Sequence, residues 1–548
     1  MKKIYLLSTL LSLSCTTFAQ SALDAYQFSQ PDLKGTARFM SMGGAFGALG
    51  GDLSSISQNP AGIGVYRSSE IGFTLDFDIQ NSETQSNDMR ATDNQFKFLF
   101  NNAGYIGTFK LNSSIMPNFN WGFTYNKVSS FNRRYTGGFQ SLGNSMSNYI
   151  AGIANNENIT VADLTSTDSY DPYNPMDGGY VAPWLAILAY DSYLINPDSN
   201  NNNPKWSGLW GNNTAGSGYY NILEKGGIDE YNISFGGNIA NIVYWGMDFG
   251  IIDMKYSQTS LWTENLTNAY VMNENGKTTQ AAADWDLYNQ YYVKGAGFNY
   301  KLGIIVKPIQ ELRLGFAFHT PTWYAMEELF YADTKYDYDV KDIRPGGAQT
   351  NNGYDGYNDY KFHTPWRLIA SAAGVIGNKF IISADYEWSN YQGMSFDQKY
   401  YDDDFWGPIT PENQSSYYYT NKDIDDYYQS TNTIRIGAEY RITPQISARL
   451  GYANVSSPVN EKTKNNDMII YTAGTRPHYT FDNTTNYITC GFGFKYKKFY
   501  TDLAYVYKNR TSEYHAYTPD ITSTINLSPQ AKLTSENHQI VVSMGFKF

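Results

Sequence analysis

IRIGAEYRITPQISARLGY, residues 434–452, decides the fold. Ile434, Ile436, Ala438 and Tyr440 fall on one side of an extended chain, with Arg435, Gly437 and Glu439 on the other. After Thr443-Pro444 the pattern resumes, and Ile446, Ala448, Leu450 and Tyr452 oppose Ser447, Arg449 and Gly451. Side chains alternate across a strand, so each half reads as a strand between an apolar and a polar environment. A soluble sandwich alternates too. What separates the two is the Tyr that closes each apolar stripe, since membrane barrels carry aromatic girdles at both interfaces.

The same pattern runs outward in both directions. Phe380, Ile382, Ala384, Tyr386 and Trp388 oppose Ile381, Ser383, Asp385, Glu387 and Ser389. From residue 70 onward fourteen such strands are expected, beginning with 70–80 and 95–110 and ending with 533–548. The third is read as 119–137, the fifth as 245–265, and the seventh to ninth as 312–340, 358–373 and 380–397. An even count puts both chain ends in the periplasm, with short turns there and long loops outside. The last stripe, Ile540, Val542, Met544, Phe546 and Phe548, ends in Phe and resembles the signal read by the outer-membrane insertion machinery.

Composition agrees with an all-β transmembrane barrel. Aromatics make up 16% of the 548 residues, Tyr alone accounts for 49, and only 17% are charged, which is low for a soluble enzyme. The formal net charge of −12 argues against a nucleic-acid partner. Met1-Lys2-Lys3, the apolar run 4–13 and Thr17-Phe18-Ala19 form an export signal, with cleavage expected after Ala19. Ser12-Leu13-Ser14 before Cys15 is a poor lipidation signal, and removal of the leader leaves Cys490 as the one cysteine, expected to face lipid. No later segment has the roughly 18 apolar residues of a membrane helix.

Two irregularities stand out. In the fifth strand Trp245, Met247, Phe249 and Ile251 share a face, after which Ile252, Met254 and Tyr256 take over the apolar phase. A slip of one residue reads as a bulge, and a kinked wall could carry an opening. The stretch 139–228 is too long for a turn and is expected to be an extracellular insertion. Within it Trp184, Leu185, Ile187 and Leu188 form an apolar patch, either a ligand-capture surface or the small core of the loop.

Before the barrel, residues 20–68 do not alternate. They contain GTARFMSMGGAFGALGGDLSSISQNPAG, residues 35–62, where Phe39, Met40, Met42 and Phe46 lie among glycines. An apolar, glycine-rich segment upstream of a barrel has the lumen as its obvious place of burial.

Here the sequence resembles the FadL family of outer-membrane transporters for long-chain fatty acids and other hydrophobic compounds. Asn59-Pro60-Ala61, followed by Gly62, is similar to the family's NPA motif in its N-terminal hatch. HTPWRLIASAAG (363–374), FIISADYEWSNY (380–391), IRIGAEYRITPQISARLGYANVSSPV (434–459) and DLAYVYK (502–508) look like its strands. The resemblance implies a signal peptide (1–19), a hatch (20–68) and a barrel (69–548). It also implies a monomer among outer-membrane lipids that passively carries a hydrophobic small molecule, with no cofactor and no enzymatic activity. Phe39, Met40, Met42 and Phe46 are then candidates for the ligand pocket above the hatch. The acidic runs at 401–404 and 423–426 depart from the family where ligand is first met and leave the cargo open.

Other chemistry is weaker. Asp385 and Glu387 share the inward face with charged residues of neighbouring strands, including Arg313, Arg367, Arg435, Glu439, Arg449 and Asp502, a pattern that suits ion pairs filling a lumen better than acid–base catalysis. The five histidines show no metal-ligand spacing. His319 and His363 sit in similar HTP strings, which keeps a hemin receptor as the alternative, alongside a porin for another ligand or a structural, adhesive barrel.

Overall fold

The computed structural model describes residues 21–165, 182–198, 204–272, 276–377, 379–398, 417–465, 468–472, 474–519 and 528–548. The leader and the 401–404 acidic run lie outside them. Fourteen wall strands close into one antiparallel barrel, the last pairing with the first from Glu70↔Lys547 to Gln85↔Lys532. In chain order they are β1 (Glu70–Gln85), β2 (Arg90–Lys110), β3 (Asn118–Ser130, resumed as Arg133–Phe139), β4 (Ala215–Ile239) and β5 (Val243–Met272). Then come β6 (Thr278–Val306), β7 (Leu312–His319 and Trp323–Tyr338), β8 (Gly356–His363 and Arg367–Ile376) and β9 (Phe380–Asn390 and Ser395–Gln398). The ring is completed by β10 (Ser430–Arg441), β11 (Ile446–Val455), β12 (Tyr479–Tyr496), β13 (Phe499–His515) and β14 (Gln530–Lys547).

The outer face carries the apolar half of the alternation. Phe98 is 56% exposed and Phe298 60%, which only hydrocarbon contact accommodates on this scale, and Cys490 follows the same outward phase as Ile488 and Phe492. A membrane strand needs roughly 9–11 residues, whereas β5 has 30 and β6 has 29, so this side of the wall rises far above the lipid.

That height explains the irregular fifth strand and corrects its reading. The β4–β5 ladder runs without a break through Ile251 and Ile252, and the β5–β6 register shifts only between Leu266 and Ala269. There is no bulge at Ile252. Below it the apolar side chains face lipid; above it Asp253 and Lys255 face water, and Ile252, Met254 and Tyr256 turn apolar groups inward. The environment inverts while the strand continues.

The inward apolar residues of the tall strands meet the loops. The insertion is shorter than the expected 139–228, because β4 already begins at Ala215 and pairs with β5 from there, and it supplies α-helices Met146–Asn156, Val161–Thr165 and Trp184–Asp191. The last has apolar side chains all round and is accordingly buried, sharing one core with Trp206, Trp262, Trp285 and Leu287. Trp184, Leu185, Ile187 and Leu188 are each at most 4% exposed. They form the core of a cap joined to the tall strands, and the patch reading of these residues gives way to the core reading.

Candidate functional site

The N-terminal segment lies inside the ring. Helix α1 (Ala22–Ser29) opens with a capping box between Ser21 and Asp24, and α2 (Ala37–Ser41) is capped by the Thr36 side chain, which accepts from the Phe39 N–H. Gly43, Gly44, Gly50 and Gly51 have φ between 62° and 75°, the left-handed region that glycine enters without strain. These two turns fold the segment back on itself beneath α1.

Polar anchors tie it to opposite sides of the wall. Lys34 Nζ lies 2.7 Å from Asp76 of β1, and Arg38 Nε 3.0 Å from Glu439 of β10. Among the described residues Asp385 of β9 has no ion-pair partner; it accepts from the Gly47 N–H at 2.9 Å and from Gln58 Nε2 at 3.0 Å. Arg313 donates to the Leu49 carbonyl at 2.7 Å. The remaining inward charges form ion pairs: Arg435 and Arg367 on Glu387, and Arg449 on both Glu439 and Asp502.

Asn59 works as a bolt. Its Nδ2 donates to the Gly47 carbonyl at 2.6 Å and its Oδ1 accepts from the Ala61 N–H at 3.1 Å. Pro60 begins a 3-10 turn, Pro60–Val65, where its missing N–H costs nothing. The turn lies flush on Gly246 of β5 and Gly303 of β6, paired neighbours whose added Cβ atoms would strike Pro60 and Asn59.

Above this floor is a cavity of about 230 Å³, lined in part by Phe28, Phe39, Gln58, Lys301, His319 and Arg435. Of the candidate pocket residues only Phe39 borders it. Met40, Met42 and Phe46 are fully buried between segment and wall, with Phe46 5.5 Å from Phe39, ring centre to ring centre. The cavity is not the apolar pocket expected above the hatch. Its lining carries eight Lys and Arg side chains and five Asp and Glu side chains.

The wall beside the cavity is incomplete. β2 and β3 pair only from Asn102↔Asn126 to Lys110↔Asn118. Above that, β3 bulges between Lys127 and Ser129 but keeps its ladder with β4. Among the described residues no strand pairs with the β3-facing edge of residues 91–101. An open edge at membrane depth costs free energy unless water or protein groups serve it, so the gap is a built feature of the wall. The bulged Val128 gives its carbonyl to the Asp32 N–H at 2.9 Å, and residues 126–133 line the cavity from within. The upper end of the gap is closed by side chains: Thr136 Oγ1 donates to Asp93 at 2.7 Å. Nothing in Lys127-Val128-Ser129-Ser130 distinguished this kink from an ordinary strand end.

His319 and His363 do not form a pair. His319 faces inward, 2% exposed, with Nε2 2.8 Å from the Gln58 carbonyl. His363 pairs across the ladder with Trp323, whose ring points outward, so the two imidazoles lie on opposite faces of the wall. They cannot hold one heme between them.

No family model and no curated protein matches the sequence. Among solved structures, a FadL homologue of Pseudomonas aeruginosa matches with TM-score 0.50 and 11% identity, over 95% of this chain and 100% of that one. The toluene transporter TodX of P. putida matches with TM-score 0.48 and 12% identity, over 94% and 99%. The CymD monoaromatic hydrocarbon channel matches with TM-score 0.46 and 11% identity, over 95% and 99%. Closed by fourteen antiparallel strands and belted with apolar side chains, this chain is an outer-membrane barrel of the FadL-like fold.

Proposed function

We propose that the chain is a passive outer-membrane channel for hydrophobic or amphipathic small molecules, that residues 20–68 are its hatch, and that cargo leaves sideways between β2 and β3. The observation that carries the reading is the unpaired β2 edge beside an inward-bulged β3 whose inner surface lines the lumenal cavity. Phe96, Phe98 and Phe100 stand exposed on the lipid side of that edge, so a molecule passing the gap meets apolar surface at once. The hatch, by contrast, is seated on bare backbone at Gly246 and Gly303, which favours a fixed floor over a swinging one.

Fatty acids, monoaromatic hydrocarbons and uncharged amphiphiles are all candidate cargo. Uptake of labelled oleate, toluene and dodecyl glucoside by cells expressing the barrel, against cells whose barrel lacks the bulge residue Val128, tests the reading. Cargo that enters equally well through both barrels, or through neither, would refute it. The hemin alternative loses its main support with the separation of His319 and His363.

A further inference from the structure

The lumenal cavity is polar in a particular way: its charges already cancel. Glu387 is shared by Arg367 and Arg435; Glu230 holds Lys301 at 2.6 Å, Glu224 holds Arg133 at 2.6 Å, and Asp32 holds Lys508 at 3.1 Å. The other lining cations reach carboxylates just behind the surface: Lys34 to Asp76, Lys127 to Asp229 at 3.0 Å, and Arg510 to Asp482 at 2.9 Å. A ligand bearing one net charge would have to break such a pair, and taking one partner from a buried ion pair is expensive. A bare hydrocarbon would strip water from these groups and return nothing.

What remains is hydrogen-bonding capacity of both kinds. Among the described residues, Gln58 Oε1 and Asn299 Oδ1 have no donor, while Arg133 Nη1, Arg435 Nη1 and Arg510 Nε have no acceptor. His319 adds an acceptor: its Nε2 faces a carbonyl and must carry the hydrogen, which leaves Nδ1 bare and without a partner. All six side chains line the same cavity. A hydroxyl both donates and accepts, so a cluster of hydroxyls can serve this mixed set without disturbing an ion pair.

We propose that the cavity receives the uncharged, polyhydroxylated head of an amphiphile, a glycosyl or glyceryl group, whose apolar tail lies toward the gap between β2 and β3. This rests on the transport reading and narrows its cargo. It also accounts for a polar chamber opening beside an aromatic lipid-facing edge, since an amphiphile needs both.

The test compares ligands sharing one tail. The barrel, held in a polyoxyethylene detergent, is titrated with dodecyl glucoside, dodecanoate and dodecyltrimethylammonium, and with toluene, bound ligand being read by native mass spectrometry. The glucoside should bind about tenfold more tightly than either ion, the worth of one or two buried hydrogen bonds, with little dependence on salt. Asn299→Ala and Gln58→Leu should each erase most of that preference while tail-driven binding and the heat-modifiable gel shift persist. Tighter, salt-sensitive binding of dodecanoate would overturn the neutral head and leave the channel reading standing. Binding by toluene alone would do the same. If no probe binds at all, the channel reading itself fails.

Discussion

The Tyr125 hydroxyl lies 3.2 Å from the Phe100 carbonyl oxygen and 2.6 Å from Asp229, at the level where β3 parts from β2. One hydrogen serves two acceptors there, and the ring packs 5.5 Å from that of Phe100. A side chain thus stands where the next ladder bond would be, and it marks the lower end of the gap. Removing Val128 takes out the bulge residue and restores two-residue periodicity to β3, which would let residues 127 onward pair with β2. Uptake of hydrophobic cargo should fall at least about tenfold, the rate equivalent of a 1.4 kcal/mol barrier, with membrane levels and heat-modifiability unchanged. Full uptake by this deletion would place the exit elsewhere.

The strand count was legible because lipid and lumen impose opposite chemistry on alternate residues, as in Ile434 to Tyr440. The same rule misled at Ile252, where the apolar phase followed a change from lipid to water outside the strand while the strand itself stayed regular. The β3 kink was illegible for a different reason: Val128, Ser129 and Ser130 suit a strand as well as a bulge, and the Asp32 N–H that donates to the Val128 carbonyl comes from about a hundred residues upstream. The polarity of the cavity was hidden likewise, since ion pairs such as Lys508–Asp32 join distant positions. Trp184 and Leu188 read correctly as apolar and grouped, but periodicity cannot say whether such a cluster covers itself.

Gly303 and Gly246 yield a test of the hatch. Valine at either position would drive a side chain into Asn59 or Pro60, and overpacking of this kind costs roughly 1–3 kcal/mol. With the wall fixed by its ladders, the strain should displace the hatch. Single-channel conductance to small ions should rise in Gly303→Val and approach that of a barrel lacking residues 21–66. Wild-type conductance in both would mean the segment does not obstruct the lumen.

Phe548 is tied into the closing seam: its N–H donates to the Ser69 carbonyl at 3.0 Å, and the Ser69 N–H donates to the Phe548 carbonyl at 3.1 Å. Deleting it removes both bonds and the end of the apolar stripe. The truncated chain should accumulate in the periplasm and be degraded, so immunoblots of outer-membrane fractions should lose most of the signal. Normal levels would show that insertion does not read this residue.

Glu264 offers a pH test of the cap. This side chain rises above the lipid on β5 and accepts from Ser145 Oγ at 2.5 Å, the Met146 N–H at 2.8 Å, Trp262 Nε1 at 3.0 Å and Trp285 Nε1 at 3.2 Å. It thereby pins the N-terminus of the Met146–Asn156 helix to the tall strands. Burial outweighs these donors and pushes its carboxyl up to about 7, above its ordinary value of 4.5. A raised carboxyl pKa means the docked cap holds a proton that the undocked cap releases, so docking is strongest below pH 4.5 and weakens as pH rises through 7. A nitroxide at Gly152, where an added side chain meets nothing within 4 Å, reports the helix in a Cys490→Ser background. Its mobility should increase between pH 5.5 and 8.5. Glu264→Gln cannot ionise, so whatever the label's mobility in that variant, it should no longer change between pH 5.5 and 8.5. A wild-type label equally immobile at pH 5.5 and 8.5 would remove Glu264 as the titrating pin.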